Sequence, residues 1–449
     1  MGLQCKLIIE QLETDFPCLY ISKELFIINQ EGSLFPFYFG NDLEYVRMFQ
    51  FTGNSSSPLI LYQTKRYSSM TFPCINLKIT PGKSLHAGPV IGVVTDCKQK
   101  DEYGLSLGVM DTFCKEFSQW VETCGGLLFL IHLKDLDQSR LRGYSYNDDQ
   151  KMWLPSIIPL PAILYNRIHS RKKDREAQIS LESFTKNGVI VFNQSFLSKM
   201  EVYDQLFSSA SLHRYLPYTN RFTFSELKEK IGVYGDLFIK HKAGSQGRNL
   251  IRIRKIASSF SIVQNSFSTE RKINCSNWNE VEELLDKWCR PRSAYLIQET
   301  IPLSTYQGQS IDFRFLCHFI RNEWKVTSTV ARISGKDEFV SNLSRGGRIE
   351  KPLVLLSSLF KGNQVLETYK RMKELAIASC ETLYNKSHLS FGELGIDIGI
   401  DHLGNPWVIE INSKPSKQNY HETNGIRPSV KALYQVCKQK WLERSDGEI

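Results

Sequence analysis

The chain has 449 residues, of which 41% are hydrophobic and 23% are charged, and this composition predicts a globular protein of two or three domains. Its eleven cysteines are scattered without a Cys-x-x-Cys pair, which argues for free thiols in a reducing cytosol and against a zinc site or a secreted disulfide framework. The net charge of +9 comes from basic residues interleaved with acidic ones, so we predict no nucleic-acid partner.

The first 86 residues contain short β-type runs separated by turn clusters such as 52–58. They predict a β-rich N-terminal module at 1–86, and a glycine- and proline-containing linker follows at 81–89. The beginning of the chain lacks an apolar segment of signal-peptide length, and the longest apolar run, near 127–131, is too short to span a bilayer. We therefore predict a cytoplasmic location and no membrane partner.

Strand and helix patterns alternate from residue 89 onward. A buried strand is predicted at 89–96, a helix at 111–124 and a second strand beginning at residue 127, which indicates a small parallel sheet in a domain spanning 87–190. Arg167 and Arg171 lie at the end of a proline-rich stretch and just beyond it. Their charges could face an anionic substrate or form surface salt links.

Residues 237–253 are predicted to form a strand, a glycine-containing loop and a second strand. The loop lacks the Gly-Lys-Ser/Thr ending of a P-loop. Its Gly244, Ser245 and Gly247 would still allow backbone N–H groups to wrap an anion. Lys240 ends the first strand, where its ammonium could meet the same phosphates. A flexible Gly/Ser hairpin is the alternative interpretation of this segment.

The spacing of apolar residues over 364–385 predicts an amphipathic helix. Its buried stripe is predicted to contain Leu366, Tyr369, Met372 and Leu375. A last helix is predicted from Thr423 to about residue 442, with Thr423 and Asn424 as its capping residues.

The stretch 391–415 predicts a β-hairpin, because apolar and polar residues alternate in both of its arms. If Asp401 pairs with Pro406 across the four-residue loop, Asp397 lies directly opposite Glu410. Two carboxylates about 5 Å apart across a hairpin repel each other.

A divalent cation would turn the repulsion between Asp397 and Glu410 into attraction. Together with Asn412 they form a set of oxygen donors of the kind that suits Mg²⁺. A solvated hairpin with scattered acidic residues is the alternative.

The order of these motifs resembles the ATP-grasp superfamily from about residue 190 to 425. The strings LYNRIHSRKKDRE and SFGELGIDIGID…VIEINSKPS are similar to the YheC/YheD family of endospore coat-associated proteins. This resemblance implies an α+β ATP-grasp fold at 191–449, in which two subdomains clasp ATP, behind an α/β pre-ATP-grasp domain and the N-terminal module. One departure is His241, which follows the second lysine where many superfamily members have proline.

The resemblance also implies roles for individual residues. The nucleotide-binding set would be Lys199, Lys240, Gly244, Ser245, Gly247, Gln298, Glu299, Ile301 and Asp312. The catalytic set would be Arg314, Arg332 and Asn342, with Asp312 either bonding the ribose or orienting Arg314. The metal ligands would be Asp397, Glu410 and Asn412.

The implied activity is ATP- and Mg²⁺-dependent ligation, with Mn²⁺ as a substitute metal. A carboxylate would attack the γ-phosphate to give an acyl phosphate, which an amine or other nucleophile then displaces. The implied partners are ATP, a carboxylate substrate and a nucleophile such as an amino acid or peptide, and spore-coat proteins, with a spore-associated location as an addition to the cytoplasmic one. Two alternatives remain: a non-catalytic ATP-binding protein of the spore coat or its assembly, and an ATP-grasp kinase.

Overall fold

The architecture comes from a computed structural model. The residues that the structure describes are 3–12, 16–25, 31–53, 57–67, 69–80, 84–99, 105–136, 141–242, 250–265, 270–335, 346–417 and 425–444. Within these ranges, no helix is long and apolar enough to cross a membrane.

A barrel comes first in the chain. Its strands are β1 (Leu3–Gln11), β2 (Cys18–Ile21), β3 (Leu34–Phe39), β4 (Asp42–Gln50), β5 (Leu59–Thr64), β6 (Met70–Thr80) and β7 (Ser84–Gly88). They follow the order β1-β5-β2-β4-β3-β7-β6, and antiparallel pairing of β6 with β1 closes the barrel. The linker predicted at 81–89 is wrong over 84–88, because all five of these residues are buried in β7 between β3 and β6.

The first sheet follows the barrel. Its region contains β8 (Val90–Thr95), a small ribbon of β9 (Lys98–Gln99) and β10 (Leu105–Ser106), α1 (Asp111–Thr123), β11 (Leu127–His132), β12 (Arg142–Asn147), β13 (Met152–Ile157), β14 (Ile163–Arg167), α2 (Arg171–Glu176), α3 (Gln178–Lys186) and β15 (Ile190–Phe192). The sheet order is β13-β12-β11-β8-β14-β15. Strands β11, β8, β14 and β15 are parallel, as predicted, and β12 and β13 add an antiparallel edge.

The second sheet is antiparallel. Its region contains α4 (Lys199–Phe207), β16 (Thr219–Arg221), α5 (Phe224–Tyr234), β17 (Asp236–His241), β18 (Leu250–Ile256), β19 (Ser259–Asn265), β20 (Glu270–Cys275), α6 (Trp278–Trp288) and β21 (Tyr295–Glu299). The strand order is β16-β21-β17-β18-β19-β20. Buried residues of α5 and α6 share one core with β17, β18 and β21. The strand predicted at 237 and the one predicted to end near 253 are β17 and β18, which pair with each other.

The third sheet completes the chain. Its region contains β22 (Thr305–Tyr306), β23 (Gln309–Ile320), β24 (Glu323–Ile333), β25 (Arg348–Glu350), α7 (Pro352–Leu359), α8 (Asn363–Lys386), β26 (Glu393–Ile400), β27 (Pro406–Asn412) and α9 (Pro428–Glu443). The sheet order is β25-β24-β23-β26-β27. Helices α4, α7 and α8 pack on it in one core, whereas α9 turns back and packs with α1 against the first sheet. The division at residues 86 and 190 stays a prediction.

Helix α8 forms where the sequence predicts a helix, but its predicted buried stripe is partly wrong. Leu366 is 62% exposed, whereas Met372 and Leu375 are buried. Leu366 and Leu375 are nine residues apart in the chain, and at about 100° per residue they point to opposite sides of the helix. The stripe instead includes Val365 and Thr368.

The last helix begins later than predicted. Helix α9 starts at Pro428, with Arg427 as its N-cap residue. Thr423 and Asn424 were predicted to cap this helix. They lie outside the described residues, five and four positions before Pro428 respectively.

The predicted hairpin is formed by β26 and β27, and Asp397 does lie opposite Glu410. The pairing predicted next to the loop is wrong, because Pro406 pairs with Ile400 rather than with Asp401. A bulge between Asp397 and Ile398 shifts the register by one residue and restores the predicted carboxylate pair.

Candidate functional site

A cavity lies between the second and third sheets, closed on one side by α4. Its polar lining residues are Lys199, Thr219, Lys240, His241, Gln298 and Glu410. Apolar side chains from α4, the segment before β16, the second sheet and β27 complete the wall, among them Val202, Tyr203, Leu206, Leu216, Pro217, Leu250, Leu296, Val408, Ile409 and Ile411. The cavity thus has one apolar wall and a cluster of charged groups.

Lys199 is the first residue of α4, and its Nζ lies 3.3 Å from Oε1 of Glu410 on β27. The predicted first lysine and one predicted metal ligand are therefore brought together from positions more than 200 residues apart in the chain. This ion pair joins α4 to β27 at the wall of the cavity.

Lys240 lies near the end of β17 and donates a hydrogen bond from Nζ to Oε1 of Gln298 on the neighbouring strand β21. Nε2 of Gln298 in turn donates to Oγ1 of Thr219 at 2.9 Å, which fixes the orientation of the amide. Burial, followed by the charge of nearby Lys199, lowers the pKa of Lys240 to about 8. The amine of Lys240 is hard to protonate in this position, and an added anion would stabilise its ammonium form.

The predicted hinge residues fall on two faces of the second sheet. Gln298 lines the cavity, whereas the carboxylate of Glu299 accepts a hydrogen bond from the backbone N–H of Tyr218 at 3.1 Å. Neighbouring residues of a strand point to opposite faces, which explains the difference. Glu299 and Ile301 are not among the cavity-lining residues, so their roles toward adenine stay predictions.

Asp397 is held by two arginines on the third sheet. Arg314 contacts both carboxylate oxygens, with Nη2 2.8 Å from Oδ2, and Nη2 of Arg332 lies 3.0 Å from the same oxygen. Burial alone would raise the pKa of Asp397, but the charges of Arg314 and Arg332 lower it overall. The carboxylate is therefore ionised.

Asp312 contacts Arg332, with Nε of the arginine as the donor. Arg332 lies directly opposite Asp312 on the paired strand β24. The two roles predicted for Asp312, bonding the ribose or orienting Arg314, stay predictions. Burial would lower the pKa of Arg332, but Asp312 and Asp397 raise it overall.

The two charged clusters form one site, because Asp397 and Glu410 are directly opposite each other and such pairs project from the same face of a sheet. Asn412 pairs with Gly395 two residues further along. Within the described ranges, no group of three His, Cys, Asp or Glu residues could hold a metal by itself, and the predicted set has two acids and an amide. The oxygen donors of this predicted set fit Mg²⁺. In the structure, basic side chains lie beside both of its acids.

Several predicted residues lie outside the described part of the chain. These are Gly244, Ser245 and Gly247 of the glycine-containing loop, and Asn342. Their roles stay predictions.

The sequence prediction missed His241 and Thr219 as cavity residues. His241 ends β17 next to Lys240, and its ring packs edge-on against Tyr295 at 5.1 Å between centroids. Partial burial and the charge of Lys199 lower its pKa. In the sequence, the position of His241 immediately after Lys240 could have indicated that it lies near the cavity.

A family model described as "YheC/D like ATP-grasp" matches residues 188–439, which is more than half of the chain. The chain belongs to the YheC/D-like ATP-grasp family. The matched range includes the cavity, both charged clusters and most of α9. The predicted family and fold class are confirmed, and at the level of the family so is the prediction of an enzyme of the ATP-grasp ligase class.

Individual relatives of this YheC/D-like protein are distant in sequence. It is 26% identical over 358 residues to the endospore coat-associated protein YheD of Bacillus subtilis (strain 168), an alignment that covers 76% of each chain. It is 19% identical over 325 residues to YheC of the same organism, covering 68% of this chain and 83% of the relative.

Among solved structures, the VanG D-Ala:D-Ser ligase of Enterococcus faecalis aligns with 79% of this chain and 98% of its own, at 13% identity and a TM-score of 0.46. This likeness is too distant to carry an argument about function.

Proposed function

We propose that the protein is an ATP- and Mg²⁺-dependent ligase that joins a carboxylate to an amine or another nucleophile through an acyl phosphate. The observation that carries this proposal is the meeting of Lys199, Lys240, Arg314 and Arg332 around the Asp397–Glu410 pair. Phosphoryl transfer depends mainly on positioning and on charges placed around the phosphate oxygens, and this arrangement supplies both.

Each basic group has a specific task in this proposal. Lys199 and Lys240 neutralise the α- and β-phosphates, since both line the cavity. Arg332 steadies the moving γ-phosphoryl group, because its planar guanidinium keeps its charge and presents fixed donors. Arg314 assists from the neighbouring strand. The apolar wall of the cavity accommodates the adenine.

Asp397, Glu410 and Asn412 would hold the Mg²⁺, which would supply positive charge to offset that of the phosphates. In the described structure their carboxylates are matched by Lys199, Arg314 and Arg332. We therefore propose an exchange of partners. The phosphates of the nucleotide draw the three basic side chains toward themselves, and the carboxylate oxygens become free for the metal.

We further propose that ligation serves endospore coat formation. The support is that both Bacillus subtilis relatives carry the name "endospore coat-associated protein". The substrates would then be amino acids or peptides connected with the coat.

The proposed reaction predicts that a cognate carboxylate raises the rate of ADP release from Mg·ATP. Replacing the nucleophile by hydroxylamine should give a hydroxamate, since an acyl phosphate reacts with it. The measurement is a coupled ADP assay over a panel of amino acids and short peptides, followed by hydroxamate detection. ADP formation that yields a phosphorylated alcohol and no hydroxamate would favour a kinase instead. Tight ATP binding without stimulated turnover by any carboxylate would favour a binding protein.

The lowered pKa of Lys240, about 8, predicts a pH-dependent affinity for Mg·ATP. Phosphates favour the ammonium form, so the pKa is higher in the complex than in the free protein, and binding takes up a proton above pH 8. The dissociation constant should be flat below pH 7.5 and rise up to about tenfold per pH unit above 8. The measurement is the dissociation constant between pH 7 and 9.5.

The matched variant is Lys240→Arg, whose guanidinium stays charged throughout this range. Its dissociation constant should change little with pH. An equally steep rise in both proteins would assign the titration to another group.

A further inference from the structure

Arg167 is fully buried at the end of β14, outside the cavity already described. Its Nη2 donates to the carbonyl oxygen of Pro415 at 2.8 Å and lies 3.9 Å from the sulfur of Met110. Its Nε and Nη1 are buried and have no hydrogen-bond partner in the part of the chain that the structure describes. The guanidinium therefore has donors to spare in a place from which water is excluded.

Other buried or half-buried cations in this part of the fold are each matched by a carboxylate. Lys414 lies 2.6 Å from Asp174, Lys417 contacts Glu393, and Arg427 contacts Glu116. Within the described ranges, no carboxylate lies within salt-bridge distance of Arg167, whose closest oxygen contact is the neutral carbonyl of Pro415.

A buried charge without an opposite charge is costly, and an apolar side chain of similar length would satisfy the packing at lower cost. The carbonyl of Pro415 and the sulfur of Met110 do not require an arginine. The ligand that would best accept hydrogen bonds from Nε and Nη1 is an anion with oxygen acceptors, above all a carboxylate.

Arg167 lies where an open parallel sheet binds ligands. Strand β8 is in the middle of the first sheet, with β11 on one side and β14 on the other. The chain runs from β8 to β11 on one side and returns after β13 to β14 on the other, so the strand order reverses at β8. Ligands bind in the crevice at the carboxyl ends of strands at such a switch point. Thr95 and Arg167 are the last residues of β8 and β14 and are paired. His169, two residues further, is exposed.

The same point adjoins the proposed nucleotide site. Pro415 follows Asn412 by three residues, which span at most about 11 Å. A Cβ built on Gly395 would lie 2.8 Å from Pro415 Cβ and 3.4 Å from Cδ of Arg314. Thus the residue that holds Arg167 and the arginine that contacts Asp397 both pack against Gly395. Both arginines therefore lie close to one position of β26.

We infer that Arg167 binds a carboxylate group of the substrate, at the carboxyl edge of the first sheet, and so selects an acid such as an amino acid or a short peptide with a free C-terminus. This inference rests on the proposed function, because the substrate named here is the carboxylate of the proposed ligation. The binding of a carboxylate at Arg167 can be measured without turnover.

The experiment compares N-acetylglycine with N-acetylglycinamide, which share size and shape and differ in the carboxylate. Their dissociation constants are measured by ligand-observed NMR with the full chain in saturating Mg²⁺ and a non-hydrolysable ATP analogue, so that no acyl phosphate forms. The wild-type protein should bind the acid at least about tenfold more tightly than the amide. Arg167→Met should bring this ratio close to one and should not lower the melting temperature without ligand, because it removes a buried charge that has no ion-pair partner within the described ranges.

The control is Arg171→Met. Arg171 is the other arginine for which the sequence left open an anionic substrate or a surface salt link, and it donates to the carbonyl oxygen of Leu197 at 3.3 Å. This variant should keep the wild-type ratio. The inference is overturned by a ratio near one in the wild type, by a preserved ratio in Arg167→Met, or by a ratio that is lost only in Arg171→Met.

If Arg167→Met does not fold, Arg167→Lys takes its place, since it keeps the charge and loses the planar donors. A reduced ratio in that variant supports the inference, and an unchanged ratio overturns it. The thermal shift with Mg·ATP is recorded for every variant. Its absence in the wild type would overturn the proposed function, whereas its presence without any preference for the acid overturns only the role of Arg167.

Discussion

Glu410→Ala is expected to abolish the thermal stabilisation that Mg·ATP gives the wild-type protein. Glu410 lies opposite Asp397 and 3.3 Å from Lys199, so the change removes a proposed metal ligand and the partner of a phosphate-binding lysine together. At 100 times the dissociation constant, the nucleotide contributes about 2.7 kcal/mol to the free energy of unfolding, and a 100-fold loss of affinity reduces this to about 0.4 kcal/mol. The measurement is the melting temperature with and without Mg·ATP.

The control for this variant is Glu323→Ala. Glu323 lies at the beginning of β24 in the same sheet, its side chain is 72% exposed, and its ion pair with Lys325 is at the surface. It should keep the full Mg·ATP shift, because an exposed pair contributes little. An unchanged shift in Glu410→Ala would rule out the proposed metal site.

Arg332→Met is expected to lower the free energy of unfolding by about 3–5 kcal/mol and to stop turnover. The side chain of Arg332 is 14% exposed and lies between Asp312 and Asp397, both of which it contacts. Its loss leaves two buried carboxylates with one guanidinium, that of Arg314. The same change removes the group proposed to steady the γ-phosphoryl. Urea denaturation measures the stability, and ADP release measures the turnover.

Two further variants separate the stability effect from the catalytic effect. Arg314→Met removes a contact with Asp397 but leaves Arg332 in place between both acids, so its cost in stability should be smaller. Arg332→Met combined with Asp312→Leu should regain part of the stability but none of the turnover, because the apolar leucine removes one of the stranded charges. A double variant as unstable as Arg332→Met would contradict the assignment of the cost to this ion pair.

Local pattern in the chain was enough to predict the elements that carry the site. The alternation around Asp397 and Glu410 predicted β26 and β27, and the residues around Lys240 predicted β17, because these patterns depend on contacts within one hairpin or one strand. The carboxylate pair was predicted correctly even though the pairing next to the loop was not. A bulge, which leaves no sign in the alternation, restored the register.

The partners of charged side chains could not be predicted in the same way. Asp312 contacts Arg332 on the neighbouring strand, and Lys199 of α4 contacts Glu410 of β27. Such contacts depend on which strands become neighbours and on how distant segments pack. The error at Leu366 has the same origin, since the packing of α8 on the third sheet determines which face of the helix is buried.

Secondary structure, family and the residue types of the site can therefore be read from the order of the residues, because they rest on short-range periodicity and on motifs. The meeting of two lysines and two arginines around one pair of acids, and the lack of a carboxylate beside Arg167 in the described ranges, follow only from the packing of segments far apart in the chain. The physical reason is that charge compensation depends on distance in space, and sequence separation does not report that distance.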